Sequence, residues 1–338
     1  MLEKNKISIS ICITTLNRYR LLDKTLKNLI NFINERFEII IYDAGSLDET
    51  FTVVKKHKQK FKNIIYKLAT INEGIDKDYF NCSKLARGEY IWFFSDDDYI
   101  KKGIAKLLLE KIKKNYSLIL VNSEIRDKQC KEVIKPRFLQ IDSNKSYSKD
   151  DFEDFFIHNA YYLSFIGGVI VNKKFWKSRN RTKYFGTLFA MAGSILNDKI
   201  LGEIYIISKP YVIIRYGNAS WVENSFKISL INWPNVIWSL NSISDSAKLR
   251  VSEIYPWKNL FRLMIFRARG AFNIKLYNEL FKHSDCSFIR KIAAFIIAFF
   301  PGVILNLIFL VYFNTCGKKN LNSKLQILDL KNSKFYIF

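Results

Sequence analysis

An α/β fold is what this sequence predicts: a mostly parallel sheet with helices on both faces, followed by a C-terminal helical, membrane-associating extension. Three observations lead there. Strand-like and helix-like patterns alternate through about the first hundred residues, and such alternation implies parallel strands joined by covering helices. The strands end in polar clusters, at Asn17-Arg18, Asp43 and Asp96-Asp97-Asp98. Further on, Ile292 to Phe313 holds 22 residues without a charge.

The elements follow in order. Ile7 to Ile13 alternates apolar and small residues as a strand does, and leads into the polar loop Thr14 to Arg18. Leu21, Leu22, Leu26, Leu29, Ile30 and Ile33 recur at helical spacing. Phe37 to Tyr42 is a second strand that stops at Asp43-Ala44-Gly45, and Asp48 can cap a helix running to Lys60. Ile64 to Leu68 is a third strand. A helix over 75–86 is expected to use Gly88 as its terminating glycine. Glu89 to Phe94 is a fourth strand and runs into Ser95-Asp96-Asp97-Asp98. Ligands of such sheets bind beyond the carboxyl ends of the strands, so the three polar clusters are expected on one rim. Lys101 to Asn115 reads as a helix, Leu118 to Val121 as a strand, and 126–160 as an irregular divider. Phe165 to Val171 opens a second segment, Tyr205 to Tyr216 is β-rich but broken by Pro210, and Trp221 to His283 is mainly helical.

An apolar share of 49% over 338 residues supports a substantial core and argues against disorder. The net charge of +23 attracts polyanions in general. The excess of Lys alongside Ile, Asn, Phe and Tyr also fits an AT-rich genome, so the charge by itself names no partner. Five cysteines without CxxC spacing suggest neither a disulfide framework nor a zinc cage. The first residues pass straight into a strand with no apolar export region, so the N-terminal domain is expected in the cytosol.

As a straight helix the uncharged run would span about 33 Å, against a hydrocarbon core of roughly 30 Å. Arg290 and Lys291 precede it, Lys318 and Lys319 follow, and Pro301-Gly302 interrupts it. Proline removes a helix hydrogen bond, which leaves a kinked spanning helix or a broken hairpin dipping into one leaflet. Basic flanks on both sides point to the hairpin with both ends cytosolic and to anionic membrane lipid as a partner. A buried pair of core helices is the third reading.

The acidic turn carries the chemistry. Mg²⁺ and Mn²⁺ want hard oxygen ligands, commonly one or two carboxylates plus substrate phosphates. Asp96-Asp97-Asp98 after the apolar strand Tyr90 to Phe94 supplies such ligands where a sheet of this kind binds its ligand. A solvated acidic turn is the alternative, made less attractive by the buried strand that leads into it.

Ile9 to Arg18 resembles the opening strand and loop of glycosyltransferase family 2. Glu38 to Thr50 looks like that family's second strand and acidic loop, and Asn72-Glu73-Gly74 with Leu85 to Asp98 is similar to the stretch leading into its metal motif. The order and spacing of the four motifs agree. Gly74-Ile75-Asp76, the Ser95 to Asp98 ending and Gly167-Gly168 more narrowly resemble the abequosyltransferase-like subgroup. The resemblance implies a GT-A fold, Rossmann-like, with a nucleoside-diphosphate-sugar donor, a lipid-linked glycan acceptor in surface polysaccharide synthesis, and Mn²⁺ or Mg²⁺ as cofactor. It implies that Thr14, Asn17, Arg18, Asp43, Asp76 and Asp96 serve the donor, with Asp97 and Asp98 on the metal. It divides the chain into a transferase domain over 1–225, with a nucleotide-sugar half 1–125 and an acceptor half 126–225. A helical basic and aromatic extension over 226–285 and a hydrophobic segment and tail over 286–338 would follow. The expected place of work is the cytoplasmic face of a bacterial inner membrane.

Three departures stand out. Ser95 occupies the first acidic position of the metal motif, Ala44 the second acidic position of the loop after the second strand, and no Glu-Asp pair marks a catalytic base. Asp198 is the nearest acid downstream of Phe185 to Phe189 and is the expected base. Arg215, Asn218 and Trp221 form a cluster suited to an acceptor or a phosphate, though a strand-end turn explains them as well. Arg262, Arg267, Arg269 and Trp257 suit either a lipid-diphosphate headgroup or a solvated helix. Two rival classes are a scaffold with a decayed transferase domain and a nucleic-acid binder. No nucleic-acid-binding module is visible and an uncompensated acidic turn repels phosphate, so no nucleic acid is expected as partner. No G-x-G-x-x-G follows the first strand, which disfavours a dinucleotide oxidoreductase.

Overall fold

The computed structural model describes residues 6–218, 221–315 and 321–337. Ten strands form one sheet: β1 (Ile9–Thr15), β2 (Phe37–Asp43), β3 (Ile64–Leu68), β4 (Tyr90–Phe94), β5 (Tyr99–Ile100), β6 (Leu118–Arg126), β7 (Val133–Lys135), β8 (Lys145–Tyr147), β9 (Val169–Asn172) and β10 (Ile204–Arg215). The spatial order is β3-β2-β1-β4-β9-β6-β10-β5, with β7 added beside β6 and β8 beside β10. Strands β3, β2, β1 and β4 are mutually parallel, as are β6 and β10, while β9 runs antiparallel between β4 and β6. From β1 the chain first adds β2 on one side and later β4 on the other. The order reverses there, which opens a crevice beyond the carboxyl ends of β1 and β4.

The connecting helices are α1 (Tyr19–Phe32), α2 (Thr50–Lys60), α3 (Ile75–Lys84) and α4 (Ile104–Lys111). Leu22, Leu26 and Leu29 place the apolar stripe of α1 in the core with Ile9, Ile11 and Ile13 of β1. Asp48 fixes the entry of two helices, accepting from the backbone of Thr50 at 3.0 Å and of Tyr19 at 3.2 Å. α5 (Phe152–Asn159), α6 (Lys173–Ser178) and α7 (Ala190–Leu196) follow, so 126–160 is more ordered than its composition suggests. Pro210 falls where the β10 register against β6 shifts, between Ile207 and Val212; a bulge is where a sheet tolerates proline.

Gly88 corrects one expectation. α3 ends at Lys84, and Gly88 does not take the left-handed conformation of a helix terminator. It is needed for proximity, because a Cβ there would lie 2.8 Å from the Ser10 backbone nitrogen. The same crossing holds a buried carboxylate. Glu38 of β2 has no exposed surface and accepts from the Ser10 hydroxyl at 2.6 Å, the Arg87 backbone at 2.7 Å and the Arg87 guanidinium at 2.6 Å.

The chain divides into two compact units, Met1–Arg215 with Ser239–Val251, and Tyr216–Trp238 with Ser252–Phe338. This differs from breaks at 225 and 285. The segment 239–251 returns to the first unit because the Ser244 backbone donates to Glu153 of α5 at 2.7 Å. The residues on either side of 285 share one core, in which Phe226, Leu263, Phe266, Phe272 and Phe281 pack with Ala294 and Ala298. The arginines ahead of the apolar run are structural anchors. Arg262 pairs Glu253 at 2.8 Å, Arg267 donates to the Phe300 carbonyl at 2.9 Å and Arg269 pairs Asp329 at 2.8 Å.

The uncharged run is not one helix. Phe288–Phe299 and Gly302–Thr315 meet at Pro301 with a bend of 97°. No single described helix is long and apolar enough to cross a membrane; the bent pair passes only when taken together.

Glu38→Ala strands Ser10 and Arg87 and is expected to cost about 2–3 kcal/mol, in the range for losing hydrogen bonds to a buried charge. Urea unfolding followed by circular dichroism measures it, and a cost under half a kcal/mol would refute the role assigned to this carboxylate.

Candidate active site

The turn after β4 is gripped from two sides. From β1, the Thr15 hydroxyl donates to Asp96 Oδ2 at 2.8 Å. Arg18, in the loop that follows, sets Nε 3.1 Å from Asp96 Oδ1 and closes on Asp97 Oδ2. Ser95 donates its hydroxyl to Asp97 Oδ1. From β10, the Arg215 backbone donates to Asp98 Oδ1 and its Nε to the Asp97 carbonyl, both at 2.9 Å. Its Nη1 reaches the Lys128 carbonyl at 2.9 Å, and the guanidinium lies over the Tyr99 ring. The Thr25 hydroxyl of α1 holds the Asp98 carbonyl at 3.1 Å. Gly167 completes the seat, since a Cβ there would come 3.2 Å from Asp98 Oδ2.

All three carboxylates are buried. Burial pushes Asp96 up to about 7, Arg18 opposes the shift and Asp97 adds to it. Asp98 is raised by burial and by Asp97. Asp96 and Asp97 therefore face one positive point, held by Arg18, whereas Asp98 turns towards Arg215. Among the described residues no group of three or more His, Cys, Asp or Glu could hold a metal ion. The side chains fit a cation carried by two carboxylates, Asp96 and Asp97, with the remaining oxygens from a ligand. Asp98, expected on the metal, is tied to Arg215 and positions the turn.

The loops after β1 and β2 are knitted together. Asn17, at φ +54°, accepts from the Leu47 backbone at 2.8 Å, and its own N–H donates to Ser46 at 2.8 Å. Asp43 Oδ1 accepts from the backbones of Gly45 at 3.1 Å and Ser46 at 2.7 Å, and Oδ2 accepts from the Tyr66 hydroxyl at 2.7 Å. Asp43 is fully buried with both oxygens in use, so here it shapes the pocket wall instead of presenting a free carboxylate. Thr14 is buried at the end of β1 beside this wall. Thr15 and Tyr66 are site residues that periodicity did not single out. For Thr15 its position at the end of β1 was the available signal; Tyr66, in the middle of β3, offered none.

Asp76 lies in the first turn of α3, and its oxygens accept from the backbones of Leu188 at 2.9 Å and Ala190 at 3.3 Å. It thus anchors the 185–190 loop, where Leu188 takes φ +66°, instead of standing free for a nucleotide. Burial raises its pKa. Two residues further on, Asp78 is buried, with Oδ1 lacking a hydrogen-bond partner, and burial followed by the charge of Glu73 pushes it up to about 6. Asp198 is exposed beyond the other end of α7; its carboxylate accepts from Asn197 at 2.9 Å and its carbonyl from Arg179. Neither of these contacts reaches the acidic turn. Of the expected trio, Arg215 is buried under the acidic turn, whereas Asn218 and Trp221 belong to the second unit and Trp221 is exposed.

A model of the family described as Glycosyl transferase family 2 matches residues 10–197. The chain is 29% identical over 237 residues to the abequosyltransferase RfbV of Salmonella typhimurium strain LT2, across 63% of this chain and 68% of that one. It is 25% identical over 286 residues to the GalNAc(5)-diNAcBac-PP-undecaprenol beta-1,3-glucosyltransferase of Campylobacter jejuni, across 81% of this chain and 87% of that one. The crystal structure of S. aureus TarS 1–349 in complex with UDP-GlcNAc is similar in fold, with a TM-score of 0.56 and 17% identity over 96% of this chain and 90% of that one.

Two outcomes follow from the site. Arg18 competes with any cation for Asp96 and Asp97, so Arg18→Ala should bind Mn²⁺ alone roughly tenfold more tightly, a change of about 1.4 kcal/mol. Electron paramagnetic resonance titration of free Mn²⁺ reads this, and weaker binding would reject the competition. Asp78 has a raised folded-state pKa, so the fold favours its protonated form. Its penalty is absent below about pH 4, grows between about pH 4 and 6 and is constant above. Asp78→Asn should therefore raise the melting temperature at pH 7.5 and not at pH 4; an equal effect at both would exclude the ionisation as cause.

Proposed function

The chain belongs to glycosyl transferase family 2, and from that membership we propose that it moves a sugar from a nucleoside-diphosphate donor to a lipid-linked glycan acceptor in bacterial surface polysaccharide synthesis. It is a nucleotide-sugar-dependent glycosyltransferase. The observation that carries the finer reading is the grip of Thr15 and Arg18 on Asp96 and Asp97 at the crevice between β1 and β4. A basic side chain and two carboxylates at that point suit a diphosphate and the cation that accompanies it.

Transfer breaks the bond between the sugar's anomeric carbon and the diphosphate and forms one to an acceptor hydroxyl oxygen. The hydroxyl proton must leave, and the departing diphosphate gains negative charge. Arg18 supplies positive charge at the rim where that charge develops. Asp97, with Asp96, would hold Mn²⁺ or Mg²⁺, which when bound supplies Lewis-acid neutralisation of the diphosphate. Thr14 and Asn17 line the donor side, while Asp43 fixes the wall that faces the base. Asp98 and Arg215 keep the acidic turn in place, and Asp76 holds the 185–190 loop.

The similarity to an abequosyltransferase supports an O-antigen or capsule type of product, and the undecaprenol diphosphate in the Campylobacter relative's name supports a lipid-linked acceptor. Such an acceptor supports a place of work at the cytoplasmic face of the inner membrane, with anionic lipid as a further partner. The apolar helix pair near the C-terminus supports that location.

The test is thermal stabilisation of the purified protein by UDP, CDP, GDP and dTDP, with and without Mn²⁺, beside an Asp97→Ala variant. A ligand at 100 times its dissociation constant should add about 2.7 kcal/mol. Metal-dependent stabilisation by one nucleotide, lost in the variant, is expected. Stabilisation by none would reject the donor site and favour a non-catalytic scaffold.

A further inference from the structure

Phe288–Phe299 and Gly302–Thr315 each have two faces. On the first helix Ala294 and Ala298 enter the core of the second unit, while Phe288 is 75% exposed, Ile289 80% and Phe299 65%. Phe295 and Ile296 extend this outward strip. On the second helix Leu305, Phe309 and Phe313 pack with Ala268 and Leu330, while Ile304, Ile308 and Val311 face outward. Isolated apolar residues on a surface need no account, but a strip continued across two helices marks an interaction site.

We propose that this bent pair is a one-leaflet docking face, seated in an anionic lipid surface with both ends on the same side of the membrane. Each arm is too short to cross alone: 12 and 14 residues give about 18 and 21 Å, against roughly 30 Å of hydrocarbon. The arms cannot add end to end, because they diverge by 97°. The inner face of the second arm is also committed to protein. The Asn306 amide is buried and donates to the carbonyls of Ala268 and Leu330, each at 3.0 Å. Helix Leu260–Ala268, which packs on this arm, carries Arg262 paired to Glu253, a pair that belongs at a wet surface. The geometry therefore selects the hairpin over the spanning helix.

Charge identifies the occupant. No Asp or Glu occurs from Cys286 to Leu328, whereas Arg290, Lys291, Lys318, Lys319 and Lys324 fall within that stretch. Arg290 is exposed on the first turn of the first arm, between the outward Ile289 and Ile292. An apolar strip accompanied by cations alone matches acyl chains beneath anionic headgroups. A second copy of the chain would bring the same cations against themselves. The inference rests on the membrane location proposed above but fixes which surface does the binding, and how.

The test uses the full chain and preformed phosphatidylcholine vesicles with or without phosphatidylglycerol, read by flotation. The wild type should float with the anionic vesicles. Ile296→Glu with Phe299→Glu, both exposed, should reduce flotation by about tenfold or more while melting temperature and nucleotide stabilisation stay unchanged. Arg290→Glu with Lys291→Glu should abolish the preference for anionic lipid. With the native cysteines replaced by serine, Ser287→Cys and Lys324→Cys should both stay unlabelled by an impermeant maleimide on intact spheroplasts and both label after lysis. Wild type that binds no vesicles overturns the docking face and the membrane location together. Undiminished flotation of the double glutamate variant overturns the face and leaves the location standing. Labelling of one end from outside overturns the one-leaflet geometry.

Discussion

Three adjacent carboxylates at the end of a buried strand repel one another, and the site can exist only if something holds them there. Two arginines do so from opposite sides. Arg18, beyond β1, neutralises the Asp96 and Asp97 side chains. Arg215, at the end of β10, binds the backbone of Asp97 and the side chain of Asp98. The two arginines come from the two parallel portions of the sheet, one on each side of β9. The reversed strand order at β1 brings the first within reach, and the register of β10 on β6 delivers the second. Removal of one partner from such a buried arrangement leaves an uncompensated charge, which costs far more than the intact pair contributes.

Much of this was legible in the residues. Local patterning located β1 to β4, the helices between them and the acidic turn, because apolar periodicity reports which face an element buries. The adjacency of Asn17-Arg18 to Asp96-Asp97 was also legible, since it follows from parallel topology. The partners of individual carboxylates were not. Asp98 is bonded 117 positions away in the chain and Asp76 112 positions away, and no window of sequence encodes such contacts. Arg215 read as a ligand-facing cation because a strand end is where ligands sit. Its burial depends on how far β10 runs past its bulge, which Pro210 obscured. Gly88 read as a helix terminator for the same local reason, whereas its smallness serves the crossing with β1.

The second unit shows the converse. Composition indicated an uncharged run of spanning length, but length and hydropathy cannot distinguish a continuous helix from two arms. Pro301 supplies the break, and the NH₂ group of Asn306, donating to two backbone carbonyls, fixes which side of the second arm faces protein. A single polar residue within an apolar stretch, easily passed over in a hydropathy profile, is the clearest local sign that the stretch has an inside and an outside.

The carboxylate of Asp76 ties the first turn of α3 to the backbone of the 185–190 loop. The two segments therefore share one conformational equilibrium. A ligand that ordered the start of α3 would also order the loop, and by reciprocity whatever settled the loop would tighten the hold on that ligand. Coupling between two segments, usually attributed to a moving lid, is here available from two hydrogen bonds.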